Sequence, residues 1–141
     1  MSLHLRNVPT RVATGAYILH SGLSKWNNGT EEQAKGLHAL ASGAYPMLAK
    51  VEPGTFLKVL AGAEIGIGAA LLTPFVGNRL AGAALTGFSG GLIGMYLRTP
   101  ALHEPGSVWP SRAGTAISKD IWMVGIGLGL LADGAVGDRS R

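Results

Sequence analysis

The sequence predicts an all-α integral membrane protein, a four-helix bundle with an amphipathic helix between the first and second spans. Three observations carry this. Only 14% of the residues are charged and 47% are hydrophobic, where a soluble domain carries about a quarter charged residues. The stretch Leu80 to Leu97 holds no charge and is bounded by Arg79 and Arg98. Finally, 22 glycines in 141 residues sit inside apolar runs with no Gly-X-Y period. Each would cost about 1 kcal/mol against alanine in a water-exposed helix, whereas in a bilayer small residues let helix backbones approach closely.

The elements follow in chain order. The first span covers about 9–26 and is uncharged from Val12 to Ser24, with Pro9 suited to a first helical turn. Residues 1–11 lack the apolar core of a cleavable signal peptide, so this span reads as an uncleaved anchor. Thr30-Glu31-Glu32-Gln33 is a capping-box signature. Leu37, Leu40, Ala41, Ala44 and Leu48 then recur at helical spacing, with Lys35, His38 and Ser42 largely on other faces. This predicts an amphipathic helix over about 30–44, at the membrane surface or across the bundle mouth, stopped near Pro46. The second span covers about 56–76, with Lys58 near one end, Glu64 inside and Pro74 near the exit. Val76-Gly77-Asn78 is a tight turn into the third span, about 79–98. A Pro- and Gly-rich loop, Leu102 to Ser111, precedes the fourth span at about 112–132, which Asp133-Gly134 should end. The tail 137–141 is expected to be disordered. A soluble helical protein with a glycine-rich core is the alternative. Against it stand the arginine-bounded span and the small-xxx-small steps Gly62/Gly66, Ala83/Gly87/Gly91, Gly90/Gly94 and Gly125/Gly129, expected to pack helix against helix. Leucine at Gly87 or Gly91 should accordingly disrupt assembly more than Leu85→Ala.

The absence of cysteine excludes disulfides, thiolate nucleophiles, iron–sulfur clusters and cysteine zinc sites. Basic residues are spread along the chain, so no nucleic-acid patch forms. Gly125-x-Gly127-x-Gly129 follows no strand and is not a dinucleotide fingerprint. With four alternating spans, the termini define side A, and the opposite side, B, gathers the intramembrane ionisable residues: His20, Lys25, Glu64, Arg98, Lys119 and Asp120. An ionisable group held in the bilayer is expensive and suggests function. Glu64 has no cation within one turn, so its partner must come from another helix; Lys119, Arg98 and Lys25 are the candidates by depth, with Lys119 first choice and Arg98 or Lys25 next. It is either a structural ion pair or a proton, ligand or cofactor group. His20 has three readings: a hydrogen-bonded helix histidine, the lining of a quinone or small-ligand pocket, or a metal or haem ligand paired with His103. No metal set is evident. Trp26, Trp109, Trp122 and Tyr96 read as an interfacial belt or as walls for a flat ligand. Lys119-Asp120 is either a helix start at the interface or part of the polar cluster.

At this point the sequence resembles the DoxX family of small bacterial four-helix membrane proteins. The resemblance rests on Arg11 followed by Gly15, Gly22 and Lys25, on Ala63-Glu64-Ile65-Gly66-Ile67-Gly68, on Asn78-Arg79-Leu80-Ala81-Gly82, and on Lys119-Asp120 before an apolar run. It covers roughly residues 8–133; the longer amphipathic insert and the Pro-rich loop depart from it. It implies a bundle in the bacterial inner membrane, in a family with members linked to quinone-coupled sulfur oxidation or oxidative-stress complexes. Three functions fit. The chain is expected to be an accessory or scaffold subunit of a larger inner-membrane complex, not an enzyme on its own, with the lipid bilayer and other membrane subunits or further copies as partners. The alternative is a quinone-linked redox subunit, in which His20 or Lys25 donates to a quinone oxygen and Glu64 moves protons. A small transporter or proton-conducting oligomer is the third. Basic residues are denser near the helix ends on side A, which places both termini in the cytoplasm.

Overall fold

Proline and threonine set the helix starts. Pro9 and Pro53 occupy first turns, where a missing N–H breaks no helical bond, and the Thr30 hydroxyl accepts from the Gln33 N–H at 3.1 Å. In the computed structural model, which describes residues 4–139, six α-helices form: α1 Val8–Asn28, α2 Glu31–Ala44, α3 Pro53–Leu72, α4 Asn78–Arg98, α5 Thr115–Ser118 and α6 Ile121–Arg139. Short 3-10 turns cover Leu5–Asn7, Pro46–Lys50 and Pro100–Leu102, and no strand is present among the described residues. α2 stops before Pro46, because the residue preceding a proline is pushed out of the helical region.

Three helical segments are long and apolar enough to cross a membrane: Pro53–Leu72, Asn78–Arg98 and Thr115–Gly137. The first expected span, in α1, does not meet this measure. α1 has the length, 21 residues, but Arg11, His20 and Lys25 together with its Asn, Ser and Thr residues lower its apolar character. The last span also differs from expectation. It begins as α5, breaks at Lys119-Asp120, and continues past Asp133-Gly134 to Arg139. Asp133-Gly134 does not end it because both residues are held by neighbours: Asp133 accepts from Asn7 and Asn78, and Gly134 lies against the backbone of Arg79. Residues 137–139, expected in a disordered tail, are therefore helical; 140 and 141 lie outside the described residues.

The helices pack as two antiparallel pairs, α1 on α3 and α4 on α6. A shared apolar cluster of Ile18, Leu71, Ala81, Leu85 and Leu130 joins the pairs. α2 lies across the side B mouth, where Ala41 and Ala44 meet Met95 of α4.

The glycines that close these pairs recur every seven residues. A Cβ on Gly22 would fall 2.8 Å from the Ile65 nitrogen, and one on Gly68 2.7 Å from the Leu19 nitrogen. On the other pair, a Cβ on Gly82 would lie 2.7 Å from the Gly127 oxygen, and one on Gly134 2.8 Å from the Arg79 nitrogen. Gly15/Gly22, Ala61/Gly68 and Gly127/Gly134 thus form heptad seams of nearly aligned helices. The four-residue steps singled out in the sequence face the other way. A Cβ added to Gly66, Gly87, Gly90, Gly91, Gly125 or Gly129 would meet no described atom within 4 Å, Gly62 meets only the edge of Trp26 at 4.0 Å, and Gly94 lies under the Tyr45 hydroxyl. The intrachain packing assigned to them is corrected. The inner face is decided by where Ile18, Leu71, Leu85, Leu130, Arg11 and Glu64 fall, and the four-residue steps fall opposite. The expected ranking of substitutions reverses with it, since Leu85 is fully buried and Gly87 is open.

Candidate functional site

The buried seam of α3 is Leu57, Ala61, Glu64, Gly68 and Leu71, and that of α1 is Arg11, Gly15, Ile18 and Gly22. Gly22 lets the backbone of α1 rest on Ala61 and Glu64. That contact puts Ser21 and Lys25 beside the Glu64 carboxylate. Lys25 Nζ lies 3.0 Å from Oε2 and 3.1 Å from Oε1, and donates to Ser21 Oγ at 2.6 Å. The Ser21 hydroxyl donates to both carboxylate oxygens at 3.3–3.4 Å. Glu64 is only 8% exposed. Its partner on another helix is therefore Lys25, and the first choice of Lys119 is corrected. The cause is pairing: α1 lies on α3 while α6 lies on α4, which leaves Lys119 exposed at the α5–α6 junction.

The other sequence candidates separate. Asp120 is half-buried and near enough to feel the charges of Glu64 and Lys25, yet its side chain makes no hydrogen bond among the described residues. Arg98 turns to α2, donating to the Ala44 carbonyl at 3.3 Å and lying 5.1 Å from the Tyr45 ring. His20 is exposed on the outer face of α1, while His103 packs edge-on against Tyr96. Among the described residues no group of three His, Cys, Asp or Glu stands together as a metal set. Trp26, Trp109 and Trp122 are exposed at 46%, 74% and 68%. Tyr96 is buried instead, and its hydroxyl donates to the Val108 carbonyl at 2.7 Å, pinning the Pro-rich loop. The four aromatics therefore form no common wall.

A second polar cluster lies at side A, where the sequence suggested only flanking charges. Arg11 is 2% exposed. Its guanidinium donates to the carbonyls of Ala70, Leu71 and Thr73 at 2.9–3.0 Å and to Asn78 Oδ1 at 2.7 Å. The last carbonyls of a helix have no partner within it, and Arg11 supplies one for α3. Asn78 passes the network on to Asp133 at 2.9 Å, and Asp133 also takes Asn7 at 2.7 Å and an ion pair from Arg6. One arginine so ties α1, α3, α4 and α6. The signal for it was present in the chain: Arg11 stands at heptad spacing ahead of Gly15, Ile18 and Gly22.

A cavity of about 260 Å³ opens between the end of α1 and the starts of α2 and α3, with Lys25, Lys58, Glu52 and Leu57 among its walls. The Lys25–Glu64 pair is thus approachable from side B. Chemically, the pair with Ser21 and Asp120 can hold or hand on a proton and offer an ammonium donor. Comparisons of the chain with protein families, with curated proteins and with solved structures found no match.

Proposed function

We propose that the chain is a DoxX-like, four-span protein of the bacterial inner membrane, with both termini cytoplasmic, and that it serves as an accessory subunit holding helices of other membrane proteins. The fourth span is α1. Its charges are matched: Arg11 is satisfied by four hydrogen bonds at its side A end, and Lys25 is neutralised by Glu64. Between them the helix is uncharged, which removes the main obstacle to crossing. Residues that carry the DoxX resemblance also meet across helices, Arg11 with Asn78 and Lys25 with Glu64.

The scaffold role rests on one observation: at Gly66 of α3, Gly87 and Gly90 of α4, and Gly125 and Gly129 of α6, no described atom lies within 4 Å of where a Cβ would stand. Lipid gains nothing from such faces, whereas another helix gains close backbone approach. α1 adds a polar outer stripe, with Tyr17 and His20 both exposed. The test is purification from native membranes in mild detergent, with mass spectrometry of what remains bound. A stoichiometric membrane partner that is lost in Gly87→Leu supports the reading; a chain that always purifies alone rejects it.

The quinone-linked reading is second. It is favoured by the approach of the cavity to Lys25, which would then be the ring-oxygen donor, since His20 lies outside the cluster. Quinone in the same purified material, lost in Lys25→Met, is its signature. Conduction is less favoured, because Ile18, Leu71, Leu85 and Leu130 fill the space between the side B cluster and the Arg11 network.

A further inference from the structure

The cavity at the side B mouth contains two opposite charges that do not neutralise each other. Lys58 is fixed in place: its Nζ donates to the Trp26 carbonyl at 2.6 Å and sits 4.5 Å from the centre of the Trp26 ring. No carboxylate among the described residues pairs with it. Glu52, on the same cavity, accepts from the Thr55 hydroxyl at 3.0 Å and likewise has no cation among the described residues. The remaining charges nearby are already spent, Lys35 on Glu31 at 2.6 Å and Lys25 on Glu64 at 3.0 Å. Ammonium and carboxylate therefore stand on one wall system with space between them, each with capacity left.

Depth narrows the ligand. Glu52 and Lys58 flank the start of α3, a membrane-capable helix, and Trp26, a residue type enriched at the membrane–water boundary, forms the platform under Lys58. The cavity thus lies at headgroup level. Its lower wall is apolar, with Leu57 and Ala34 buried there. A ligand that fits carries an anion and a cation a few bonds apart and an apolar continuation.

We propose that the cavity lined by Lys58 and Glu52 binds a phosphate–amine zwitterion, the headgroup of a phosphoethanolamine lipid, with phosphate on Lys58 and ammonium on Glu52. Lys58 donates two remaining N–H groups to phosphate oxygens, and the Glu52 carboxylate accepts from the amine. The inference stands on α3 crossing the membrane and does not depend on what docks against the glycine faces.

The test is native mass spectrometry of the full chain released from bilayers of equal phosphatidylethanolamine and phosphatidylglycerol. Wild type retains the ethanolamine lipid in preference to the glycerol lipid. Lys58→Met lowers retention of both about fivefold, the scale expected for one interfacial lysine, and Lys58→Arg restores it. Glu52→Gln, at an exposed position, abolishes the preference while leaving the glycerol lipid bound. Lys50→Met, outside the cavity, changes nothing. Equal retention of the two lipids by wild type, or unaltered retention in Lys58→Met, overturns the proposal. Release of the lipid by excess soluble glycerophosphoethanolamine overturns the bilayer as the source and assigns the site to a free zwitterion.

Discussion

The two polar clusters of this chain use similar residues to opposite ends. At side A, each nitrogen of the Arg11 guanidinium has an acceptor: the Ala70 and Leu71 carbonyls that the end of α3 leaves without helical partners, the Thr73 carbonyl just beyond it, and Asn78 Oδ1. The network ties four helices. At side B, Lys25 and Glu64 tie only α1 to α3, a second carboxylate stands close by without a hydrogen bond among the described residues, and a cavity reaches the lysine. The first cluster is closed among helix-end carbonyls and Asn78, whereas in the second a cavity reaches Lys25 and the Asp120 carboxylate makes no hydrogen bond among the described residues. An intramembrane charge is thus weak evidence for function until its unused hydrogen-bonding capacity is known.

That contrast can be broken by substitution. The largest effect is expected for Arg11→Met, which strips Asn78 Oδ1 and the last carbonyls of α3 of their donor; breaking a buried charged network costs about 3–5 kcal/mol, read as a lower unfolding midpoint in detergent. If Arg11→Met were no less stable than Glu64→Gln, the clasp would not be the structural one of the two. Next comes Leu85→Ala, fully buried in the cluster that joins the helix pairs, at about 2–5 kcal/mol. Glu64→Gln is smaller, about 1–2 kcal/mol, because Lys25 keeps Ser21 and can turn to the cavity. Lys25→Met in the Glu64→Gln background should recover part of that loss, and a double variant less stable than both singles would refute the pairing. Gly87→Leu is the smallest, within about 0.5 kcal/mol for the isolated chain, since the added side chain enters open space.

The helices themselves are legible in the sequence, because apolar runs, Pro9, Pro46, Pro53 and the Thr30 cap act locally. Which face of each helix turns inward is not. Gly87/Gly91 and Gly125/Gly129 look like packing motifs by spacing alone, yet a four-residue step and a seven-residue step are both available in so glycine-rich a chain. The choice depends on long-range partners, such as Gly22 on Ala61 and Gly82 on Gly127. The same limit misassigns the counter-ion of Glu64. Depth in the membrane makes Lys119 and Lys25 equivalent, and only the pairing of α1 with α3 separates them. Asp133 reads as a helix end because a sequence shows an Asp-Gly step but not the Asn7 and Asn78 that hold it.

Whether the outward glycine faces are docking surfaces is tested most directly by cysteine cross-linking in native membranes. The chain has no cysteine of its own, so single cysteines at Gly66, Gly87 and Gly125, with Leu85→Cys as the buried control, report each face separately. Adducts to one distinct membrane protein from the glycine positions, and none from Leu85→Cys, are the expected result. Absence of adducts from all three outward positions, with cysteines there labelled freely by a lipid-soluble reagent, would contradict it.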